Sequence, residues 1–400
     1  MWILEHNDVF HKEHQTAYSI GQYIVPKKYP ATKETAGTFT ICPKASPAMS
    51  WIFIESGGEQ MERKLASIQQ IQHIEAIEGA DRIVKATVLG WSVVVLKDEF
   101  QVGDTCIYME VDSFLPVTDE RFEFLRASSY RNTDYMGEGY RIRTARLRKQ
   151  ISQGVLMRTE LFPEVAGLSV GEDVTSLLGI VKYEMPEENT GLGVVTGGFH
   201  PAAHKTEELR IQSEPKLLQT LKGMAYYIST KMDGASMTIS VDDGLVRVFN
   251  RNREIKDDDS SILWNFVHKH GLDLKMKALG GDFSIQGEFC GPGIQGNHLK
   301  LKEFQLYLYS TNDAFGKRGT LDDLMDISKT LGLEMVPIDE IGPSFNYTLE
   351  ELLEMAKGRY ASGIHREGIV IRPLVPFEVE GMHALSFKVI NNDFLLKVED

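Results

Sequence analysis

The sequence predicts an α+β protein in which a small β-barrel precedes a domain built on antiparallel sheets. Three observations predict this order: short apolar runs between residues 83 and 111, a glycine-rich stretch at residues 189–198, and mixed strand and helix patterns after residue 205. The chain has 400 residues, 42% of them hydrophobic, which is enough for about two or three domains. We therefore expect a separate core in each part.

The barrel is expected within residues 61–185. Runs rich in β-branched residues occupy positions 83–88, 91–96 and 105–111, and Gly90 separates the first two. Short strands at this spacing are typical of a small closed barrel.

The stretches that flank the barrel have a different composition. Residues 1–60 are rich in Gly, Pro, Ser, Thr and Lys, and we expect an extension of unknown role. Residues 186–204 contain repeated glycines and polar residues, which is typical of a linker. The second domain is then expected to cover residues 205–400.

The second domain begins with a hairpin signal. Asp242-Asp243-Gly244 separates strand patterns at residues 237–241 and 245–249. Helical spacing predicts two helices, at residues 260–270 and 321–331, capped by Ser260 and Thr320. Further strands are expected at residues 283–289, 305–309, 368–371 and 385–389.

Composition excludes several classes of protein. A formal charge of −14 argues against a protein that coats nucleic acid by charge alone, because such binding requires Lys and Arg to neutralise phosphates. Cys42, Cys106 and Cys290 are too scattered for a disulfide framework or a zinc site, and we expect buried thiols. The chain shows neither a secretory signal nor an apolar membrane span, so we expect a cytoplasmic or nuclear protein without a membrane partner.

One basic run stands out in this acidic chain. Residues 140–148 have the pattern of a single strand, and they carry four arginines. We expect these arginines to contact nucleic acid, and the alternative is a solvated edge strand kept soluble by its charge. The four residues are Arg141, Arg143, Arg146 and Arg148.

Lys231-Met232-Asp233-Gly234 follows directly after an apolar strand pattern that starts at Tyr226. Alone, this tetrapeptide is weak evidence for a catalytic site, because a turn beside a solvated lysine can have the same sequence. Its weight comes from the polar groups that follow it in order, each at the edge of a hydrophobic strand. They are Asn250-Arg251-Asn252, Gln286-Gly287-Glu288, Leu306-Tyr307-Leu308-Tyr309, Arg366-Glu367-Gly368-Ile369-Val370-Ile371-Arg372 and Ser386-Phe387-Lys388-Val389.

This order resembles motifs I, Ia, III, IIIa, IV and V of the covalent nucleotidyltransferases, which include polynucleotide ligases and RNA capping enzymes. The resemblance covers about residues 225–397 and implies a nucleotidyltransferase (ATP-grasp-like ligase) domain. It implies that Thr230, Arg251, Glu288, Tyr309 and Lys388 bind ATP or AMP, with Glu288 at the ribose hydroxyl. Arg251 would contact the sugar or the terminal phosphate, and Tyr309 would lie against adenine. The alternatives are that Tyr309 belongs to the core and that Arg251 and Glu288 form a structural ion pair.

The chemistry requires these residue types independently of the resemblance. A lysine that attacks phosphorus must lose its proton, so we expect burial or a nearby cation to lower the pKa of Lys231. A basic side chain and Mg²⁺ or Mn²⁺ would neutralise the α-phosphate, and Lys388 fits the basic role. Mg²⁺ keeps most of its waters, so Glu367 together with Asp233 or Glu288 is expected to hold it.

Two features favour RNA ligases within this superfamily. The segment Gly287-Glu288-Phe289-Cys290-Gly291-Pro292-Gly293-Ile294-Gln295 resembles the Gly-Glu-x-x-Gly-x-Gly-x-Gln stretch of the nick-sealing RNA ligase 2 family. Twelve residues follow Lys388, which leaves no space for the downstream OB barrel of capping enzymes and DNA ligases. The upstream barrel instead resembles the OB modules of a subgroup of RNA ligases. One departure is Ile390, where many RNA ligases have a second lysine.

The resemblance therefore implies an ATP-dependent RNA ligase that joins 3′-hydroxyl and 5′-phosphate ends through lysyl-AMP at Lys231. Its expected partner is nicked or broken RNA, or an RNA/DNA hybrid duplex, and we expect a monomer. The alternatives are an mRNA guanylyltransferase that uses GTP, and a nucleic-acid-binding protein whose catalytic site has lapsed.

Overall fold

The structure is a computed structural model, and it describes only part of the chain. The described residues are 63–184, 191–199, 205, 208–379 and 382–398, with side chains as far as Leu395. The expected extension at residues 1–60, Cys42 and most of the expected linker lie outside them. In the described part, Cys106 and Cys290 are buried free thiols, as the sequence predicts.

The first part of the described chain consists of short strands and loops, with one short α-helix, α1 (Arg126–Ser129), and three 3-10 helices, at Glu120–Leu125, Thr159–Leu161 and Pro163–Val165, among its described residues. The strands are β1 (Ala66–Gln70), β2 (His73–Ala76), β3 (Ile83–Val88), β4 (Trp91–Leu96), β5 (Thr105–Met109), β6 (Ser113–Pro116), β7 (Tyr130–Thr133), β8 (Gly137–Arg141), β9 (Thr144–Leu147), β10 (Gln150–Gln153), β11 (Val155–Arg158) and β12 (Val181–Lys182). Strands β3 and β4 have the bounds that the sequence predicts.

These strands form short, mostly antiparallel sheets around two apolar clusters. The sheet orders are β1-β5-β11, β2-β3-β4, β10-β9 and β12-β6-β8-β7. One cluster surrounds Trp91 and Tyr108, and the other surrounds Phe122 and Tyr140. Alternation along β4 places Trp91, Val93 and Val95 on the buried face, which is the period of a strand with one wet face.

The single strand expected at residues 140–148 is wrong. Strand β8 ends at Arg141, β9 begins at Thr144, and β9 pairs with β10 in a separate hairpin. The break has a physical cause, because Ile142 is buried and exchanges backbone hydrogen bonds of 2.9 Å with Asp112 and Ser113. The chain must therefore turn inward between the two basic segments.

The second part mixes helices and strands. Its strands are β13 (Val195–Gly198), β14 (Leu209–Arg210), β15 (Tyr226–Lys231), β16 (Ala235–Asp242), β17 (Leu245–Phe249), β18 (Arg253–Ile255), β19 (Phe283–Cys290), β20 (Gln305–Asp313), β21 (Glu334–Met335), β22 (Ile338–Gly342), β23 (Gly368–Pro373) and β24 (Phe387–Ile390). Its helices are α2 (Leu217–Leu221), α3 (Ile262–His270), α4 (Leu272–Leu279), α5 (Leu321–Leu331), α6 (Leu349–Ala356) and α7 (Asn392–Val398).

The strands of the second part form two sheets. One has seven strands in the order β13-β18-β17-β16-β19-β20-β21, and the other has five in the order β14-β24-β23-β15-β22. Helices α3, α4 and α5 pack on the first sheet, and α2 and α6 pack on the second. Strand β13 lies within the stretch that the sequence predicts as a linker, and it pairs with β18.

Local sequence explains the turns and caps. The hairpin between β16 and β17 turns at Asp243 and Gly244, whose φ angles of 48° and 71° are those of a primed turn. Helix α5 has the predicted cap, a capping box between Thr320 and Asp323. Helix α3 is capped by Ser261 rather than by Ser260, because the Ser261 hydroxyl accepts a hydrogen bond from the backbone amide of Trp264.

Polar contacts join the barrel to the second part along β14. Arg210 in β14 forms an ion pair of 3.7 Å with Asp112, and the Ser213 hydroxyl donates a hydrogen bond to the buried Glu110. Strand β14 also pairs in parallel with β24, so that Arg210 lies opposite Lys388. The barrel is thus bonded to a strand that is a direct neighbour of the site described next.

Candidate active site

Strands of both sheets enclose a cavity of about 590 Å³, a volume typical of small-molecule sites. All eight residues predicted to act on the nucleotide or the metal line this cavity. They are Thr230, Lys231, Asp233, Arg251, Glu288, Tyr309, Glu367 and Lys388. Residues separated by up to 158 positions in the sequence therefore converge on one space.

Lys231 is the last residue of β15 and lies opposite Gly368 of β23. Its Nζ is 2.6 Å from Oε2 of Glu367, and each side chain is about one-fifth exposed. The Tyr360 hydroxyl donates to the backbone oxygen of Lys231 at 2.8 Å and accepts from the backbone N–H of Glu367 at 3.0 Å. Tyr360 thus fixes the spacing of the two strand ends that carry the pair.

The charge state of Lys231 differs from the expectation of a lowered pKa. Burial lowers the pKa of Lys231, but the carboxylates of Glu367 and Glu288 outweigh it, so the pKa is raised. The amine is therefore held as an ammonium in this structure. A cation that neutralised the two carboxylates would remove the cause of the raised pKa.

Gly234 ends the lysine motif where a side chain does not fit. A Cβ at this position would lie 2.6 Å from the backbone oxygen of Phe289 and 2.7 Å from Sγ of Cys290. The Gly234 amide also donates to a carboxylate oxygen of Glu288 at 3.1 Å. The glycine therefore allows β16 to approach β19 and places Glu288 beside the lysine.

Acidic side chains crowd the same end of the cavity. Burial raises the pKa of Glu288 to about 7, opposed by Lys231 and reinforced by the charge of Glu367. Burial likewise raises the pKa of Asp233, whose Oδ2 is 2.5 Å from Nδ1 of His298. Burial and mutual repulsion destabilise the charged form of these carboxylates, and a bound cation would offset both effects. In the described part of the chain no three Asp, Glu, His or Cys residues form a direct ligand cage.

Lys388 lies in β24, on the cavity wall. Burial, together with the charges of Lys231 and Arg210, lowers the pKa of Lys388 to about 7. The sequence predicts a lowered pKa for Lys231, but in the structure it is the pKa of Lys388 that is lowered. Ile390, two positions further on, is buried at 6% exposure and packs as an apolar residue.

Tyr309 in β20 forms part of the cavity wall. Its hydroxyl is 3.2 Å from the Ser236 hydroxyl, and the guanidinium of Arg372 lies 5.5 Å from its ring centre. Arg372 forms an ion pair with Glu208, and its side chain is buried, with only 3% of it exposed. Burial alone would raise the pKa of Glu208, but the charges of Arg372, Arg318 and Lys388 together outweigh it and the pKa falls to about 2.

Sequence reasoning assigned no role to Glu208, Arg372 or His298. Glu208 and Arg372 line the cavity, and His298 contacts Asp233. Arg372 lies within the motif IV segment, which is a signal that could have identified it. Glu208 and His298 lie outside the motif segments, and their partners are 164 and 65 positions away in sequence.

Thr230 and Arg251 reach the cavity in different ways. The Thr230 hydroxyl donates to Asp339 at 2.9 Å and accepts from Arg366 at 3.0 Å, so its hydrogen bonds are made within the protein. Arg251 follows β17 and is exposed at the cavity edge. It is thus placed to contact a part of a ligand that faces solvent.

The four arginines of the barrel have different surroundings. Arg141 stacks over the Tyr183 ring at 4.2 Å and lies 3.8 Å from Asp112, so part of its charge is compensated. Arg148 donates to the backbone oxygen of Gly79 at 3.0 Å. Arg143 and Arg146 are exposed, the latter in β9.

The fold and the lysine-containing cavity define the class as that of the covalent nucleotidyltransferases. Residues 224–390 match the family model of RNA ligase, and residues 65–159 match that of an OB-fold domain. The chain belongs to the RNA ligase family.

Solved structures of one enzyme carry this assignment. The fold is similar to Naegleria gruberi RNA ligase with PPi, at 34% identity and a TM-score of 0.73 over 85% of this chain and 100% of that one. Mutants of that ligase with ATP and Mn and with AMP and Mn share 33% and 34% identity, each with a TM-score of 0.73 over 84% of this chain and 99% of theirs. None of the curated proteins matches the chain.

The comparisons confirm the α+β fold, the OB-like barrel that precedes the nucleotidyltransferase, and the ligase class. They assign the chain to the RNA ligases rather than to the mRNA guanylyltransferases or to proteins without catalysis. Among the described residues, no helix has the length and apolar character needed to cross a membrane.

Proposed function

We propose that this RNA ligase consumes ATP and seals 3′-hydroxyl and 5′-phosphate ends through a lysyl-AMP at Lys231. The observation that carries the proposal is the position of the Lys231 amine, in a nucleotide-sized cavity and in contact with Glu367. The relatives support it, because Naegleria gruberi RNA ligase has been solved with ATP and Mn, with AMP and Mn, and with PPi.

In the first step, the Lys231 ammonium gives up a proton to solvent, and the neutral Nζ attacks the α-phosphorus of ATP. A nitrogen–phosphorus bond forms with loss of a second proton from the nitrogen, the bond from the α-phosphorus to the bridging oxygen breaks, and pyrophosphate leaves. Glu367 holds the amine at 2.6 Å until the substrate is bound. Lys388 contributes positive charge to the phosphate as negative charge develops there.

A divalent cation, Mg²⁺ or Mn²⁺, neutralises phosphate charge when bound and weakens the hold of the carboxylates on the ammonium. Glu367, together with Asp233 or Glu288, would hold it through its water shell. The crowding of these acidic groups, described above, fits such a cation.

The remaining cavity residues bind the nucleotide. Glu288 accepts from the ribose hydroxyl, and Arg251 contacts the sugar or the terminal phosphate at the exposed edge. The ring of Tyr309 lies against adenine, supported from behind by Arg372. Thr230 contributes to the wall of the nucleotide site, since its hydroxyl is engaged by Asp339 and Arg366 and its backbone amide donates to the Pro337 oxygen at 2.8 Å.

In the second and third steps, AMP passes to a 5′-phosphate, and a 3′-hydroxyl then displaces AMP to close the strand. The substrate is nicked or broken RNA, or an RNA/DNA hybrid duplex, and a 2′-hydroxyl provides the means to require RNA at the 3′-hydroxyl side. We assign residues 61–185 to a nucleic-acid-binding OB domain and residues 205–400 to the adenylyltransferase. The exposed Arg143 and Arg146 are the barrel arginines best placed to contact phosphates.

The test is covalent labelling followed by sealing. Wild-type protein incubated with α-labelled ATP and Mg²⁺ is expected to retain label through denaturation, and Lys231→Ala is expected to retain none. Lys222→Ala, at an exposed lysine outside the cavity, is the matched control and should label as wild type does. Equal labelling of Lys231→Ala would refute the assignment. Sealing of nicked duplexes of each strand composition then identifies the substrate.

A further inference from the structure

His298 contacts Asp233 without lining the cavity. Its Nδ1 is 2.5 Å from Oδ2 of Asp233, and the two side chains are 21% and 13% exposed. Asp233 lines the cavity, whereas His298 does not. The imidazole therefore contacts the carboxylate from outside the nucleotide site.

Contacts to the backbone, to the ring and within the neighbouring loop hold His298 in place. The Ser362 hydroxyl donates to the backbone oxygen of His298 at 2.7 Å. The ring meets Phe394 edge to face, with centroids 5.6 Å apart and an interplanar angle of 82°. The preceding Asn297 closes the loop by bonding both the backbone amide and the oxygen of Leu301. Such support is typical of a group that orients another group.

The contact fixes one end of the Asp233 carboxylate. The N–H of the imidazole donates to Oδ2 of Asp233, which leaves the other carboxylate oxygen free of this contact. An aspartate held by one oxygen keeps a single orientation toward the cavity.

We propose that His298 is a positioning residue for the ligase reaction, holding Asp233 so that its second oxygen orients the water shell of the divalent cation. The inference rests on the proposed function, in which Asp233 serves that cation. It adds a residue that no motif contains and that does not itself touch the nucleotide.

Three substitutions separate this role from a merely structural one. His298→Ala removes the donor, and His298→Asn places an amide N–H near the position of Nδ1. His298→Gln is the matched control, because its longer chain places the amide near Nε2 instead. We expect His298→Ala and His298→Gln to raise the half-saturating Mg²⁺ concentration for lysyl-AMP formation about 10-fold or more. His298→Asn should stay within about threefold of wild type, and the KM for ATP at saturating Mg²⁺ should change little.

Metal binding is measured separately from activity. Mn²⁺ is titrated by electron paramagnetic resonance into protein that holds α,β-methylene ATP, which cannot form lysyl-AMP. The affinity for Mn²⁺ should fall in His298→Ala and recover in His298→Asn. Addition of His298→Ala to Asp233→Ala should weaken Mn²⁺ binding no further, because His298 acts through Asp233.

The outcomes distinguish this inference from the proposed function. If wild-type protein forms no lysyl-AMP, the proposed function fails, and the inference fails with it. If wild type labels and Asp233→Ala weakens Mn²⁺ binding, but His298→Ala binds Mn²⁺ as wild type does, only the role of His298 is overturned. Equal losses in all three His298 variants, with unchanged metal dependence, would also overturn it.

Discussion

Replacement of Lys388 by methionine is expected to stabilise the protein while abolishing its adenylylation. The side chain keeps most of its apolar length and loses the ammonium that burial penalises. Burial lowers the pKa of Lys388 from 10.5 to about 7, so the folded protein carries a destabilised cation below pH 7. The same charge is what the reaction uses at the phosphate, so stability and activity change in opposite directions.

The size of the effect follows from the pKa. One pKa unit corresponds to about 1.4 kcal/mol, so the fall from 10.5 to about 7 corresponds to roughly 5 kcal/mol below pH 7. The side chain is only partly buried, and water screens its charge, so we expect Lys388→Met to raise the free energy of unfolding by about 1–3 kcal/mol.

The pH dependence has a definite sign. Between pH 7 and 10.5 the unfolded chain binds a proton at Lys388 that the folded protein does not, so this group makes the wild type more stable as pH rises. The advantage of Lys388→Met is therefore largest below pH 7 and fades toward pH 10.5. The titration of all other groups cancels in the difference between the unfolding free energies of variant and wild type.

The assay is urea unfolding of nucleotide-free and metal-free protein at pH 6, 7.5 and 9. Lys329→Met, at an exposed position of α5, is the control and should show no pH-dependent difference from wild type. A gain for Lys388→Met that is absent at pH 6, or that grows from pH 6 to pH 9, would refute the reasoning.

Three further outcomes follow from the site. Burial raises the pKa of Glu288 to about 7. Between pH 4.5 and 7 the folded protein therefore binds a proton at Glu288 that the unfolded chain does not, and stability falls as pH rises. Glu288→Gln should remove this part of the pH dependence of Tm. Gly234→Ala forces a Cβ to within 2.6 Å of the Phe289 oxygen, and we expect lysyl-AMP labelling to fall by at least about 10-fold with a Tm several degrees lower. Joint Arg143→Ala and Arg146→Ala substitutions should weaken nicked-duplex binding and reduce its salt dependence without changing labelling, and a loss of labelling would contradict this division.

The reaction site was predictable because its residues lie at strand ends and edges. Lys231 ends β15, Glu288 lies late in β19, and Lys388 lies in β24, so a hydrophobic pattern next to a polar residue identified each of them. The order of these patterns along the chain then carried the resemblance to a family. A cavity that joins both sheets followed from that order, although no single segment predicts it.

The residues that sequence reasoning missed act through contacts that no local pattern records. Glu208 meets Arg372 across 164 positions, and His298 meets Asp233 across 65. The charge state of Lys231 was missed for the same reason, because it depends on how close Glu367 lies rather than on the lysine motif. The expected strand over residues 140–148 failed since alternation cannot show that Ile142 turns inward.

The short strand β14 decides where the catalytic part of the chain can be cut. It lies at the border of its sheet, and it covers the backbone of β24 through a hydrogen bond of 3.0 Å from the Ile211 amide to the Lys388 oxygen. A fragment that starts after residue 214 would leave β24 as an uncovered border strand, a known route to aggregation. A soluble catalytic fragment must therefore begin before Glu208. It would include Arg210 and Ser213, whose side chains form polar contacts with the barrel.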